Sequence, residues 1–79
     1  MNYVYIVQCS DGTLYTGWTT DVEKRIQTHN DRKGAKYTKN RTPVTLFYCE
    51  ECSDKSRALK REAEIKKMTR QQKLALKNR

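Results

Sequence analysis

The stretch Tyr3-Val4-Tyr5-Ile6-Val7-Gln8-Cys9-Ser10-Asp11-Gly12-Thr13-Leu14-Tyr15-Thr16-Gly17-Trp18 decides how this chain is read. Residues 3–9 are β-branched and aromatic, the composition of a strand. Ser10-Asp11-Gly12 is turn chemistry, and Leu14 to Trp18 follows as a second strand, which makes a β-hairpin. Its loop length sets which side chains share a face. A two-residue loop, Asp11-Gly12, puts Tyr15 opposite Gln8 and turns it away from Tyr5. A three-residue loop, Ser10-Asp11-Gly12 with Gly12 left-handed in a bulge, puts Tyr15 opposite Val7. Tyr5 and Tyr15 then lie on one face, because side chains alternate with period two. In that register Gly17 falls opposite Tyr5 and leaves room beside its ring, while Val4, Ile6, Leu14 and Trp18 occupy the other face.

Further along, Thr20-Asp21-Val22-Glu23 fits the T-x-x-E capping box and predicts a helix over about residues 21–29. Val22 and Ile26 sit one turn apart and face the core, and Arg25 and His29 form another i,i+4 pair on the next stripe. Residues 31–43 hold Arg32, Lys33, Lys36, Lys39 and Arg41 around Gly34 and end at Pro43, which reads as a basic loop. Val44 to Cys49 is the third strand. Ser53 or Asp54 caps a helix reaching about Lys67. On it Ala58, Glu62 and Ile65 recur at i, i+4 and i+7 with Leu59 beside them, so a carboxylate sits within the apolar stripe. Thr69-Arg70-Gln71-Gln72 repeats the capping pattern and opens a short last helix through Leu74 and Leu76. The order β-β-α-β-α-α predicts an α+β fold, a three-stranded antiparallel sheet with flanking helices. At 79 residues the chain is the size of one domain, expected to span residues 1–79.

The charge is lopsided. Of 17 Lys and Arg against 9 Asp and Glu, residues 1–54 hold seven bases and seven acids, whereas residues 55–79 hold ten bases and only Glu62 and Glu64. The whole net charge of +8 therefore lies in the last third. Lys and Arg that neutralise phosphates release condensed counterions, so this balance favours a polyanion. A membrane surface would need large apolar residues opposite the bases, and Leu59, Ile65, Met68, Leu74 and Leu76 are needed for the core. Nor is there an apolar run of about 18 residues or an export leader, so no membrane association and a cytoplasmic location are expected. Nucleic acid is the better partner.

Three cysteines in such a chain do not make a disulfide framework. Cys49 and Cys52 form one C-x-x-C, and a structural zinc site needs four ligands. Cys9 and the lone His29 would have to complete it, without the spacing of a second ligand pair.

Three features stand out chemically. Glu62 is a charge on a core-facing stripe, costly unless it is paired, with Lys66 or a nearby Arg, or bound to a metal. Tyr5 and Tyr15 lie on paired strands, and Arg25 and His29 share a helix edge. Each has an ordinary reading as packing or surface. Together, Tyr3-Val4-Tyr5, Tyr15-Thr16-Gly17, Arg25 ten residues past Tyr15, His29 one turn later and the helical Glu62 resemble the GIY-YIG nuclease family. The family's Gly-Ile-Tyr corresponds to Tyr3-Val4-Tyr5 and its Tyr-Ile-Gly to Tyr15-Thr16-Gly17. The segment from Asp21 to Asn30 resembles the helix bearing its arginine, and Ala58-Leu59-Lys60-Arg61-Glu62 the helix bearing its metal-binding glutamate. Tyr3 replaces the first glycine and Thr16 the second isoleucine, and neither change removes a reacting group. The likeness covers nearly the whole chain and is greatest to small stand-alone bacterial members and the nuclease module of branched-DNA endonucleases.

The resemblance implies a metal-dependent endonuclease acting on DNA ahead of RNA, with a role in DNA repair or processing. Glu62 would hold one divalent cation, Mg²⁺ by the preference of a hard ion for carboxylate and water. Tyr5 would take the proton of the attacking water, which its ordinary pKa of about 10 opposes unless nearby cations favour the phenolate. Arg25 would hold the scissile phosphate, Tyr15 would orient the water or a phosphate oxygen, and His29 would support the Tyr5 hydroxyl or the phosphate. Arg32, Lys33, Lys36, Lys39 and Arg41 would grip flanking phosphates, and Tyr37 would stack on an unpaired base. At this length no appended DNA-binding domain is expected, so a protein partner is expected to supply specificity. The alternative is a non-catalytic basic nucleic-acid-binding module on the same fold. An adaptor for an acidic protein would leave the paired tyrosine signatures unexplained.

Overall fold

The computed structural model describes residues 1–77; the expected end of the domain at residue 79 lies outside them. The elements follow the predicted order: β1 (Asn2–Gln8), β2 (Leu14–Thr19), α1 (Val22–Asn30), β3 (Thr45–Cys52), α2 (Lys55–Lys66) and α3 (Arg70–Lys77). The three strands form one antiparallel sheet in the order β2-β1-β3, with β1 in the middle.

The hairpin takes the three-residue loop. Cys9 N–H donates to Thr13 at 2.8 Å, and Gly12 adopts φ 85°, a left-handed conformation that a residue without Cβ enters freely. Tyr15 consequently sits opposite Val7 and Gly17 opposite Tyr5. One face of the sheet carries Val4 and Ile6, which pack with Ala58, Ile65 and Leu76 from α2 and α3 and with Trp18, Phe47 and Met68 at the margin. The other carries Tyr5, Val7 and Cys9, packed with Val44, Tyr15 and Ile26. The two faces thus divide the labour: one holds the larger apolar cluster, the other holds Tyr5 and Tyr15.

Local details depart from the sequence reading at the α1 cap, the end of β3 and Leu59, and agree with it at the caps of α2 and α3. Asp21, not Thr20, caps α1: it is extended (φ −145°) and its carboxylate accepts from Lys24 N–H, so the helix begins at Val22. Thr69 and Gln72 do form the reciprocal box, Gln72 N–H donating to Thr69 Oγ1 at 3.2 Å and Thr69 N–H to Gln72 Oε1 at 2.9 Å. β3 runs three residues beyond Cys49, because Glu50 is satisfied by Arg61 and the Tyr48 hydroxyl, both at 2.5 Å, and an edge strand tolerates charge. α2 is capped by Asp54, which accepts from Arg57 N–H at 2.8 Å. Leu59 is 41% exposed, so Ala58 and Ile65 alone carry the buried stripe of α2.

The loop between α1 and β3 is better anchored than its composition suggests. Asn30 exchanges two hydrogen bonds with the backbone of Val44, at 2.6 and 3.1 Å. Ser10 N–H donates to Arg41 O at 2.8 Å, and the Arg41 side chain pairs with Asp11 at 3.0 Å. Thr38 is fully buried. The loop is basic on its outside and has its own buried contact. No helix among the described residues is long and apolar enough to cross a membrane.

Candidate active site

The three-residue hairpin loop decides the geometry, since it puts Tyr5 and Tyr15 on the face that α1 covers. Tyr5 is 1% exposed on the central strand. Its hydroxyl lies 2.9 Å from Nε2 of His29 and accepts a hydrogen bond from Arg25 Nε at 3.2 Å. Arg25 and His29 are successive turns of one helix edge, so one rigid element delivers both groups to one oxygen. The terminal guanidinium nitrogens of Arg25 make no further hydrogen bond among the described residues.

Two glycines make the approach possible. A Cβ on Gly17 would fall 2.6 Å from the Tyr5 hydroxyl, and one on Gly34 would collide with the His29 ring. The sequence reading anticipated the first, from the register. The second lies in the basic loop and was missed, as was Thr38, whose Oγ1 is 2.8 Å from His29 Nδ1. Thr38 also donates to Ala35 O at 3.0 Å. Nothing in the sequence distinguishes this threonine from a solvated loop residue, because its burial depends on α1 coming back beneath it.

Aromatic contacts extend the site outward. Tyr15 meets His29 edge-on at 5.5 Å between centroids and stacks on Tyr37 at 5.7 Å. Arg41 lies 4.2 Å from the centroid of the Tyr37 ring and donates to Tyr37 O at 2.7 Å. Tyr37 remains 41% exposed. The ring expected to stack on a base is thus already stacked on Tyr15, in a layer that runs from the loop surface to the buried histidine.

Titration follows from burial. Loss of hydration raises the pKa of Tyr5, and the Arg25 hydrogen bond and charge only partly offset it; the charges of Tyr15 and Glu62 push the same way as burial. His29 is lowered by burial and then by the Arg25 charge. At neutral pH the pair is a protonated phenol beside a neutral imidazole.

Glu62 lies on α2, its side chain 19% exposed, with Lys66 Nζ 3.9 Å away. That pairing matches the ordinary reading of Glu62, but it is long, and an i,i+4 pair of this kind is worth only about 0.3–0.5 kcal/mol. Its charge is the smallest of the influences that raise the Tyr5 pKa, and α2 packs its Ala58 and Ile65 on the Val4 and Ile6 face of the sheet. Among the described residues no three His, Cys, Asp or Glu gather as a metal cluster. A lone, hard oxygen donor suits Mg²⁺, which keeps several waters and is held by one or two carboxylates plus substrate phosphate. A zinc site on the C-x-x-C has no geometric basis. Cys52 packs on the Val4 face while Cys49 pairs with Tyr5, and both His29 nitrogens are already engaged.

The basic loop residues divide into two groups. Lys33, Lys36 and Lys39 are exposed. Arg32, at φ 63°, donates to Lys39 O and the Asn40 side chain, both at 3.0 Å, and Arg41 holds Asp11 and Tyr37. The two arginines brace the loop that displays the three lysines.

Comparison with known proteins bears on this arrangement. A family model described as the GIY-YIG catalytic domain matches residues 1–75. The UPF0213 protein of Staphylococcus haemolyticus is 63% identical over 75 residues, covering 95% of this chain and 92% of that one. The UPF0213 protein of Halobacterium salinarum is 55% identical over 76 residues, covering 96% and 99%. The solution structure of the UPF0213 protein of Bacillus halodurans matches with a TM-score of 0.60 and 47% identity, over 96% of this chain and 82% of that one. A solution structure of an E. faecalis protein matches with a TM-score of 0.63 and 42% identity, over 94% and 79%.

Proposed function

The chain belongs to the GIY-YIG family, a nuclease-type family, and from that premise we propose that residues 1–79 form one domain that hydrolyses phosphodiester bonds in DNA as a metal-dependent endonuclease. Structured or branched DNA is the proposed substrate class, DNA repair or processing the proposed role, and the cytoplasm the proposed location. The observation that carries this reading is the Tyr5 hydroxyl, bonded at once by Arg25 and His29 beside an exposed basic loop.

Phosphodiester hydrolysis needs an activated water, positive charge on the non-bridging oxygens and stabilisation of the leaving oxygen. Arg25 commits only Nε to Tyr5, so its terminal nitrogens can fork onto the scissile phosphate. Its position then sets the phosphate beside the Tyr5 oxygen, which receives the proton of the attacking water. The Tyr15 hydroxyl makes no hydrogen bond among the described residues and serves to orient that water or a phosphate oxygen. Glu62 would hold Mg²⁺, which supplies charge at the leaving oxygen when bound. Lys33, Lys36 and Lys39 grip the flanking backbone, with Arg32 and Arg41 holding the loop in place. A partner protein would choose the target.

The test is incubation of the pure protein with labelled branched, nicked, single-stranded and duplex DNA, with Mg²⁺ or EDTA. Metal-dependent cutting abolished by Glu62→Ala and by Arg25→Ala is the expected result. Binding with no cutting of any substrate would replace this reading with that of a non-catalytic module.

A further inference from the structure

Tyr5 cannot act as a base while it keeps its own proton, and burial makes it keep it. The structure holds a route for that proton. Arg25 Nε, the Tyr5 hydroxyl, the His29 ring, the Thr38 hydroxyl and the Ala35 carbonyl form an unbroken chain, with successive separations of 3.2, 2.9, 2.8 and 3.0 Å. A guanidinium can only donate and a carbonyl can only accept. A chain fixed at both ends in this way has one polarity that satisfies every link. Arg25 donates to the Tyr5 oxygen, Tyr5 O–H to His29 Nε2, His29 Nδ1–H to Thr38 Oγ1, and Thr38 O–H to Ala35 O. In the reverse polarity the Thr38 and Ala35 oxygens would face each other at 3.0 Å without a proton, and the Tyr5 proton would lose its acceptor.

We propose that Thr38 is a positioning residue that holds His29 as the Nδ1–H tautomer, so that Nε2 accepts the Tyr5 proton during the reaction. The catalytic consequence rests on the nuclease reading; the tautomer does not. In the step, the water oxygen forms the new P–O bond and the bond to the leaving oxygen breaks with its electron pair. The water proton passes to the Tyr5 oxygen as the Tyr5 proton passes to Nε2, and the leaving oxygen takes a proton from solvent. His29 is briefly an imidazolium with Thr38 and Tyr5 as its two acceptors, and it returns its proton to solvent through Tyr5. The other tautomer would present N–H to Tyr5 and could accept nothing. Gly34 contributes by omission, since a side chain there would unseat the ring. Thr38 lies between Lys36 and Lys39, so the loop assigned to grip the backbone is also the wall that sets the histidine.

The chain has a single histidine, so side-chain ¹⁵N NMR reads its tautomer without assignment ambiguity. The DNA-free protein is expected to show protonated Nδ1 and bare Nε2, Thr38→Ser to keep that pattern, and Thr38→Val to lose it. In single-turnover cleavage, Thr38→Val should slow the chemical step about 10- to 100-fold, part of the 10²- to 10⁴-fold that a positioned proton acceptor contributes, with DNA affinity unchanged and Thr38→Ser restoring the rate. An Nε2–H tautomer in the parent protein overturns the proposal, and that measurement needs no variant to fold. So does a Thr38→Val protein that keeps the Nδ1–H tautomer or cuts at the parental rate. A protein with the expected tautomer that cuts no DNA supports the Thr38 assignment and sinks the nuclease reading instead.

Discussion

A Cβ added at Gly17 would lie 2.6 Å from the Tyr5 hydroxyl and 2.8 Å from its Cζ. The glycine of β2 is the floor on which the phenol rests, and the antiparallel register that pairs the two residues puts it there. Gly17→Ala should therefore push the ring off Arg25 and His29. Overpacking of this kind costs about 1–3 kcal/mol, so a moderate fall in Tm should accompany loss of cleavage. A stable variant with unchanged cleavage would show that the Tyr5 position is irrelevant to the chemistry.

Arg25 binds Tyr5 through Nε, a nitrogen that lysine lacks. Arg25→Lys keeps the charge but cannot both donate to Tyr5 and fork onto a phosphate. Its kcat should fall about 10²-fold or more, in the range seen when one donor to a developing charge is removed. Tyr5→Phe should fall at least as far while leaving DNA affinity nearly constant. Electrophoretic mobility shifts alongside cleavage rates separate these effects, and parental turnover by either variant would refute the assigned roles.

His29 gives folding a pH dependence. Its folded pKa lies below the ordinary value, so as the medium acidifies the unfolded chain takes up the proton first. The stability it contributes is complete above about pH 6.5 and is lost as pH falls from there through the depressed folded value. Thermal melts at pH 7.5, 6.5 and 5.5 should show Tm dropping over that range. His29→Gln, referred to its own Tm at pH 7.5, should show a flatter profile, and an equal slope in both proteins would assign the dependence elsewhere.

The loop makes a prediction about salt. Each lysine that neutralises a duplex phosphate adds roughly −0.9 to the slope of log affinity against log salt. Replacing Lys33, Lys36 and Lys39 by Ala should thus flatten the slope by roughly three in fluorescence-anisotropy titrations, with Tm little changed. Arg41→Ala should do the converse: it severs the Asp11 pair and the Tyr37 contacts, so Tm falls more than the salt slope changes. Equal slopes for the triple variant and the parent would remove the loop from the interface.

Which of these residues could be read from the chain depended on whether local chemistry or distant packing placed them. The hairpin was open between two registers, and Gly12 at positive φ settled it for the one that joins Tyr5 to Tyr15. Arg25 and His29 are visible as an i,i+4 pair, but the burial of His29 is not, since a single turn of polar residues looks like surface. The cap of α1 was misplaced by one residue because Thr20 and Asp21 are both competent, and only the extended backbone at Asp21 chooses between them. The β-branched and aromatic run of β3 ends at Cys49, and Arg61, eleven residues past Glu50, is what keeps that carboxylate in the strand. Thr38 and Gly34 gave no sign at all, since their roles exist only where the loop closes on the helix that precedes it.

β1 lies between β2 and β3, and this placement has a consequence for synthesis. Tyr5, Tyr15, Arg25 and His29 all leave the ribosome before β3, yet a lone two-stranded hairpin is at best marginally stable in water. The sheet that fixes Tyr5 is completed only when residues 45–52 take the free edge of β1, and Glu62 emerges later still. A nascent chain of the proposed nuclease therefore carries groups that grip phosphate but no assembled centre to cut it. The last third of the chain, which completes the sheet's apolar face, brings the proposed cation ligand and the whole net positive charge with it, so on the proposed reading competence to cleave arrives with the stronger part of the attraction to DNA.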